Sequence, residues 1–180
     1  MFRLGALIVG ITVVAAVFGP WLAPTDPNAQ DLALRLAAPS GSHFFGLDEL
    51  GRDIFSRLLV GARISLLVGL AVVSAASSVG ILMGSIAGYY GGKVDLVISR
   101  VMDVLLAFPG ILLAIALVAV LGPSLTNVVI ALSFIGWVGY ARLVRAQVLR
   151  IRELEYVQAA RALGAKTPRI LLRHVIPATL

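Results

Sequence analysis

The sequence predicts an all-α polytopic membrane bundle of about four spans, and three observations predict it. Of 180 residues, 59% are hydrophobic and 13% are charged, whereas an ordinary soluble domain carries about 25% charge. A soluble chain this short has too little interior to hide so much apolar surface. The charges are also unevenly spaced, leaving gaps long enough for helices to cross a bilayer. The third observation is the asymmetry of the basic residues between the loops that join those gaps.

The first charge-free gap runs for 22 residues between Arg3 and Asp26, the second for 29 between Arg63 and Lys93, and the third for 38 between Asp103 and Arg142. A helix needs about 20 apolar residues to cross the hydrocarbon core. The first gap therefore holds one span, Leu4–Leu22, closed by Pro20, Pro24 and Pro27. Its apolar length exceeds that of a signal-peptide core, which favours a retained span. The second holds a long or tilted span, Ser65–Tyr89. As one helix the third would reach about 57 Å, too long for one crossing. Gly122-Pro123-Ser124 divides it into Leu96–Leu121 and Leu125–Ala141.

Lys and Arg orient the spans, because the cytoplasmic side carries the excess. Eleven fall on one side (Arg3, Lys93, Arg100 and eight from Arg142 to Arg173), and four fall on the other with five acidic residues. The N-terminus, the Gly91–Asp95 turn and the C-terminal tail are thus predicted inside, and 23–61 outside. The net charge of +6 suits anionic lipid headgroups and needs no nucleic acid.

Within the spans, Ala76, Gly80, Gly84 and Gly88 recur every four residues and form a ridge suited to close helix packing. Ser74, Ser77, Ser78 and Ser85 line a polar path or bond back to their own helix. Arg100 and Asp103 are spaced to pair on one helix face. Pro109 should kink the third span or end a shorter helix. In the outer loop, Leu50, Ile54 and Leu58 with an Asp53–Arg57 pair predict an amphipathic helix at the membrane surface.

The tail reads as helix, glycine turn, helix. Helix-favouring residues run to Ala162, Gly164 supplies a left-handed stop, Thr167-Pro168 reads as N-cap and first position, and a short helix runs to Pro177. Such a tail is either a basic helix pair on the membrane surface or a docking element for a soluble partner.

Enzymatic chemistry has little support. Cys is absent, and the two histidines, His43 and His174, lie in loops. Neither a catalytic residue, a metal-ligand set nor a cofactor motif stands out. A phosphate-cradling loop needs G-x4-G-K-[ST], but Gly92-Lys93 is followed by Val94 and has Ala87 where the first glycine belongs.

Gln158-Ala159-Ala160-x3-Gly164-x12-Pro177 resembles the "EAA loop" of bacterial ABC importer permeases, Glu-Ala-Ala-x3-Gly-x9-Ile-x-Leu-Pro. Gln158 stands for the Glu, His174 for the Ile and Ile176 for the Leu. Gly46-Leu47-Asp48-Glu49-Leu50-Gly51-Arg52-Asp53, Ser56-Arg57-Leu58, Tyr89-Tyr90-Gly91-Gly92, Ala107-Phe108-Pro109 and Gly139-Tyr140-Ala141-Arg142 are similar to the C-type subunit of dipeptide, oligopeptide and nickel permeases. The likeness runs from about Gly5 to Leu180.

The resemblance implies a permease subunit of the bacterial inner membrane, working in an ATP-driven importer for peptides, nickel, glutathione or a related small solute. ATP hydrolysis would lie on separate ATP-binding subunits. A second permease subunit in a heterodimer and an extracytoplasmic solute-binding protein would complete the complex. The implied coupling loop spans about 150–177, with partner contacts at Gln158, Ala159, Ala160, Gly164 and Pro177; Glu155, one turn before Gln158, is the candidate stand-in for the missing Glu. The expected domains are 1–61, the first span with its amphipathic loop, and 62–180, the permease domain. Members of the family continue with two further spans, so the sequence reads as a permease cut short after its coupling loop.

Overall fold

The computed structural model describes residues 2–179. Two compact units are present, residues 1–70 and 71–180. The described residues form eight α-helices: α1 (Phe2–Leu22), α2 (Ile54–Tyr90), α3 (Gly92–Leu106), α4 (Gly110–Leu121), α5 (Leu125–Ile151), α6 (Glu155–Ala162), α7 (Thr167–Ile170) and α8 (Ile176–Thr179). α1, α2 and α5 are each long and apolar enough to cross a membrane.

In the first unit, α1 is apolar on all sides and mostly exposed, as a span facing lipid is. It is buried at Ala16 and Gly19. A Cβ on Gly19 would sit 2.8 Å from the Leu59 carbonyl carbon, so only glycine admits the α2 backbone there.

The outer segment differs from expectation. No helix runs through Leu50, and α2 starts only at Ile54. The stretch 46–53 is instead a closed turn stapled by Asp48. Its carboxylate accepts the N–H of Leu50 at 2.8 Å, the N–H of Arg52 at 3.0 Å and the Arg52 Nε–H at 2.8 Å. Gly46 (φ +74°) and Gly51 (φ +71°) supply the left-handed corners. Nor does Asp53 pair with Arg57. Its buried carboxylate accepts the Ser56 N–H at 2.8 Å, capping α2, and meets His43 Nδ1 at 3.1 Å. Arg57 turns to Asp48 at 3.6 Å. An N-cap offers a carboxylate free backbone donors, and that outcompetes an exposed i, i+4 pair.

In the second unit α2 and α5 run parallel, with Ala76 beside Gly136, Gly80 beside Trp137 and Tyr140, Gly84 beside Ala141 and Val144, and Gly88 beside Val148. A Cβ on Gly84 would lie 2.5 Å from the Ala141 oxygen, and one on Gly88 2.9 Å from the Arg145 oxygen. The small-residue ridge is thus spent on internal packing. Ser77 and Ser78 both donate to the Ser74 carbonyl, at 3.3 and 2.7 Å, the back-bonding alternative for those serines.

Of the two outcomes expected at Pro109, a kink or a shorter helix, the structure shows the shorter helix. α3 ends at Leu106, Pro109 is the N-cap of α4, and the two helices meet at 84°. Parallel α2 and α5 require the chain to return across the unit between them, and α3 with α4 makes that return. α4 then packs antiparallel to the start of α5, Gly110 near Ile135 and Ala114 near Ala131. The turn between them is closed by Asn127, whose amide donates to Leu121 O at 2.8 Å and Gly122 O at 2.9 Å, and by Ser124, which caps α5.

Arg100 is exposed, and the expected Arg100–Asp103 pair is absent. Asp103 takes Arg142 at 2.9 Å, while Asp95 takes a two-pronged contact from Arg145, at 2.5 and 2.6 Å. A step of about eight residues along α3 (Asp95 to Asp103) thus matches a step of about three along α5 (Arg145 to Arg142), so α3 crosses α5 obliquely.

Candidate functional site

The end of α5 carries the coupling-loop candidate. Beyond Ala141 the helix continues for nearly three polar turns to Ile151, whose basic face leaves Val144, Val148 and Ile151 as a buried apolar stripe. Val157 of α6, Ile170 of α7 and Val175 dock onto that stripe, each 1% exposed or less. Full burial of a side chain of this size contributes about 1.5–3 kcal/mol. Three such anchors seat the loop on the rod.

Gly164 makes the turn. With φ +83° it follows α6, its N–H bonded to Arg161 O at 3.0 Å, and the next N–H, Ala165, reaches Ala160 O at 3.0 Å. These two bonds satisfy the open carbonyls of the last helical turn in the Schellman manner. α7 opens one residue before the expected place. Lys166, not Thr167, is the N-cap, and Pro168 falls within the first turn, where its missing N–H costs nothing. The helix does not stop at Pro177 either. A π-helical turn, Leu171–Val175, precedes α8, and Pro177 is the second residue of α8. A proline ring crowds the carbonyl four residues back and leaves it without an N–H. The wider π turn just before it relieves that conflict.

The expected contact residues divide by exposure. Glu155, Gln158 and Ala159 are exposed on α6, Gly164 is exposed in the turn and Pro177 is exposed on α8, whereas Ala160 is half-buried. Gln158 folds back, its amide donating to Glu153 O at 3.1 Å. Glu155 occupies the first turn of α6, where the helix dipole favours a carboxylate. Tyr156 links α6 to the π turn through a hydroxyl bond to His174 O at 3.4 Å.

Sequence reasoning missed the residues that fasten this loop to α2. The Arg152 guanidinium donates to Gly88 O at 2.9 Å, one of the open carbonyls at the α2 C-terminus. The Arg161 guanidinium carbon stands 5.3 Å from the centre of the Tyr89 ring, a cation–π contact. Tyr89 also packs against the buried cluster of Val148 and Val157. The signal was present in Tyr89-Tyr90-Gly91-Gly92, but nothing in the chain pairs a tyrosine with an arginine 72 positions later. Among the described residues no group of three His, Cys, Asp or Glu is placed to hold a metal ion.

Residues 80–180 match the family model described as the binding-protein-dependent transport system inner membrane component. Residues 1–39 match the N-terminal TM domain of oligopeptide transport permease C. The chain is 45% identical over 171 residues to the probable D,D-dipeptide transport system permease protein of Escherichia coli, an alignment covering 95% of this chain and 57% of that protein. It is 46% identical over 176 residues to the dipeptide transport system permease protein of Alkalihalophilus pseudofirmus, covering 98% and 58%. Against the glutathione transport system permease protein of a second Escherichia coli strain it is 48% identical over 181 residues, covering 100% and 60%. The chain thus spans about three-fifths of the length of the curated relatives it matches. Since the first model covers over half of its residues, the chain belongs to the family of binding-protein-dependent transport system inner membrane components.

Proposed function

We propose that the chain is the membrane-spanning part of an ATP-driven importer, forming a portion of the path for a peptide or related small solute. Its residues 150–177 are the surface on which a separate ATP-binding subunit docks. The observation that carries this reading is the loop's two-sided construction. Val157, Ile170 and Val175 are buried on α5, while Gln158, Ala159 and Gly164 remain exposed. Small side chains on an exposed helix let a partner's backbone come close. A surface held by α5 and α2 together passes displacement to both helices.

The relatives named above support peptides or glutathione as the solute class. A second permease subunit, an extracytoplasmic solute-binding protein and an inner-membrane location with both the N-terminus and the loop in the cytoplasm complete the proposal. The structure supports that placement in one respect: parallel α2 and α5 end on the same side, so the Gly91–Asp95 turn and the loop share it.

Affinity purification of the tagged permease from cells expressing the whole transport operon tests the reading. An ATP-binding subunit should co-purify, and deletion of residues 153–166 should release it while the permease stays in the membrane. Retention of the subunit by the deletion variant would overturn the docking site.

A further inference from the structure

We infer that the folded outer segment around residues 43–55 is seated in the headgroup layer of the bilayer through an aromatic cluster, rather than standing free in water. α1 sets the depth scale. Its 21 residues make about 31 Å of helix, one hydrocarbon thickness. The C-terminal end, with Phe18 and Trp21, therefore marks one boundary of the core. Gly19 touches the Leu59 backbone, which fixes Leu59 of α2 at that same level. Phe55 lies one helical turn, about 6 Å, further out, in the headgroup layer.

Two more rings converge on Phe55. Phe44 stands 5.5 Å away at 79° and Phe45 5.4 Å away at 90°, both edge-to-face. These two remain 57% and 53% exposed, and Trp21 is 74% exposed. Phe18 and Trp21 at the core boundary, with Phe44, Phe45 and Phe55 about one turn further out, thus form a band of five aromatic side chains from three stretches of sequence, a distribution typical of the membrane–water interface. Most polar side chains of the segment are used internally: Asp48 holds Arg52, and Asp53 holds His43 and the start of α2, while Glu49 is exposed on the turn. Leucines at 32, 34 and 36 add further exposed apolar surface. The occupant is phospholipid, because the patch continues the lipid-facing surface of α1 and α2. Arg63, one turn deeper than Leu59, is exposed and long enough to carry its charge back to the headgroups.

The test places a single tryptophan in the cluster of the full chain, Phe44→Trp with Trp21→Phe and Trp137→Phe, reconstituted in phosphatidylcholine–phosphatidylglycerol vesicles. Lipids brominated near the carbonyl end of the acyl chain should quench the emission more than lipids brominated near the methyl end, and aqueous iodide should quench it weakly. Phe45→Trp on the same background should give the same order. Strong quenching by iodide with none by bromolipid would overturn the inference, because the rings would then face water. Insensitivity to both quenchers would overturn it equally, because the rings would then lie against protein.

Discussion

Replacing Gly164 with valine isolates the backbone from everything else in the loop. No heavy atom lies within 4 Å of the position a Cβ would take at Gly164, yet its φ is +83°. The added Cβ itself meets no neighbour, so the penalty is chiefly conformational. A left-handed backbone costs an L-residue about 1–2 kcal/mol, and a β-branched side chain sits at the upper end. The turn avoids that cost only by opening, which releases the Gly164–Arg161 and Ala165–Ala160 bonds. A penalty of that size lowers the population of the closed turn about 5- to 30-fold. Amide exchange in the purified permease should rise by that factor in peptides covering 160–166. Buried segments of α5 should not change. Membrane levels should hold, while co-purification of the ATP-binding subunit and ATP-driven uptake should fall. Gly164→Asn should recover most of the loss, since asparagine tolerates the left-handed region. Wild-type exchange in the valine variant, or equal damage from asparagine, would show that the left-handed backbone at Gly164 carries no such cost.

Ala160→Asp should leave membrane insertion intact but abolish coupled uptake, and normal uptake by an intact complex would contradict the placing of the docking face. Gly84→Val should push α2 from α5, because its Cβ would meet the Ala141 oxygen at 2.5 Å; overpacking of about 1–3 kcal/mol should appear as a lower midpoint of thermal aggregation in detergent. Asp95→Ala should destabilise more than the double variant Asp95→Ala/Arg145→Leu, because the single change strands a half-buried guanidinium, and equal midpoints would remove the ion pair from the account. In the outer segment, burial would raise the Asp53 carboxyl, but the Ser56 N–H and hydroxyl and His43 outweigh it and hold it below the usual range. Asp48 is likewise held low, the N–H groups of Arg52 and Leu50 with the Arg52 guanidinium overcoming desolvation. Lowered carboxyls stabilise the fold above the unfolded value, about 3.9, and that contribution is lost as pH falls from there through the folded value. Protection of residues 26–53 from proteolysis after an acid pulse should fall with that titration, and Asp53→Asn should flatten the profile.

What could be read in the sequence was whatever depends on local spacing. The charge gaps located α1 and α5, and the spacing of Gly80, Gly84 and Gly88 announced a close helix contact. Gly164 was legible because a left-handed turn has few alternatives. The ion pairs were not legible: i, i+3 and i, i+4 rules point within a helix, whereas Asp95 and Asp103 sit opposite α5 and find Arg145 and Arg142 there. The outer loop misled for a related reason. Leu50, Ile54 and Leu58 have helical spacing, but Asp53 terminates the helix by capping it, so a periodic pattern ran across a boundary. The 84° break at Pro109 also exceeded what a proline alone announces, because the angle is set by what α3 and α4 each pack against.

The fastening of the loop by Arg152 and Arg161 has a consequence for anyone exchanging parts between permeases. A chimera that moves only residues 152–177 would import two guanidinium groups without the carbonyl of Gly88 and the ring of Tyr89 that receive them. The portable module is discontinuous in the chain, and transplanting it intact means carrying 88–91 along with the loop.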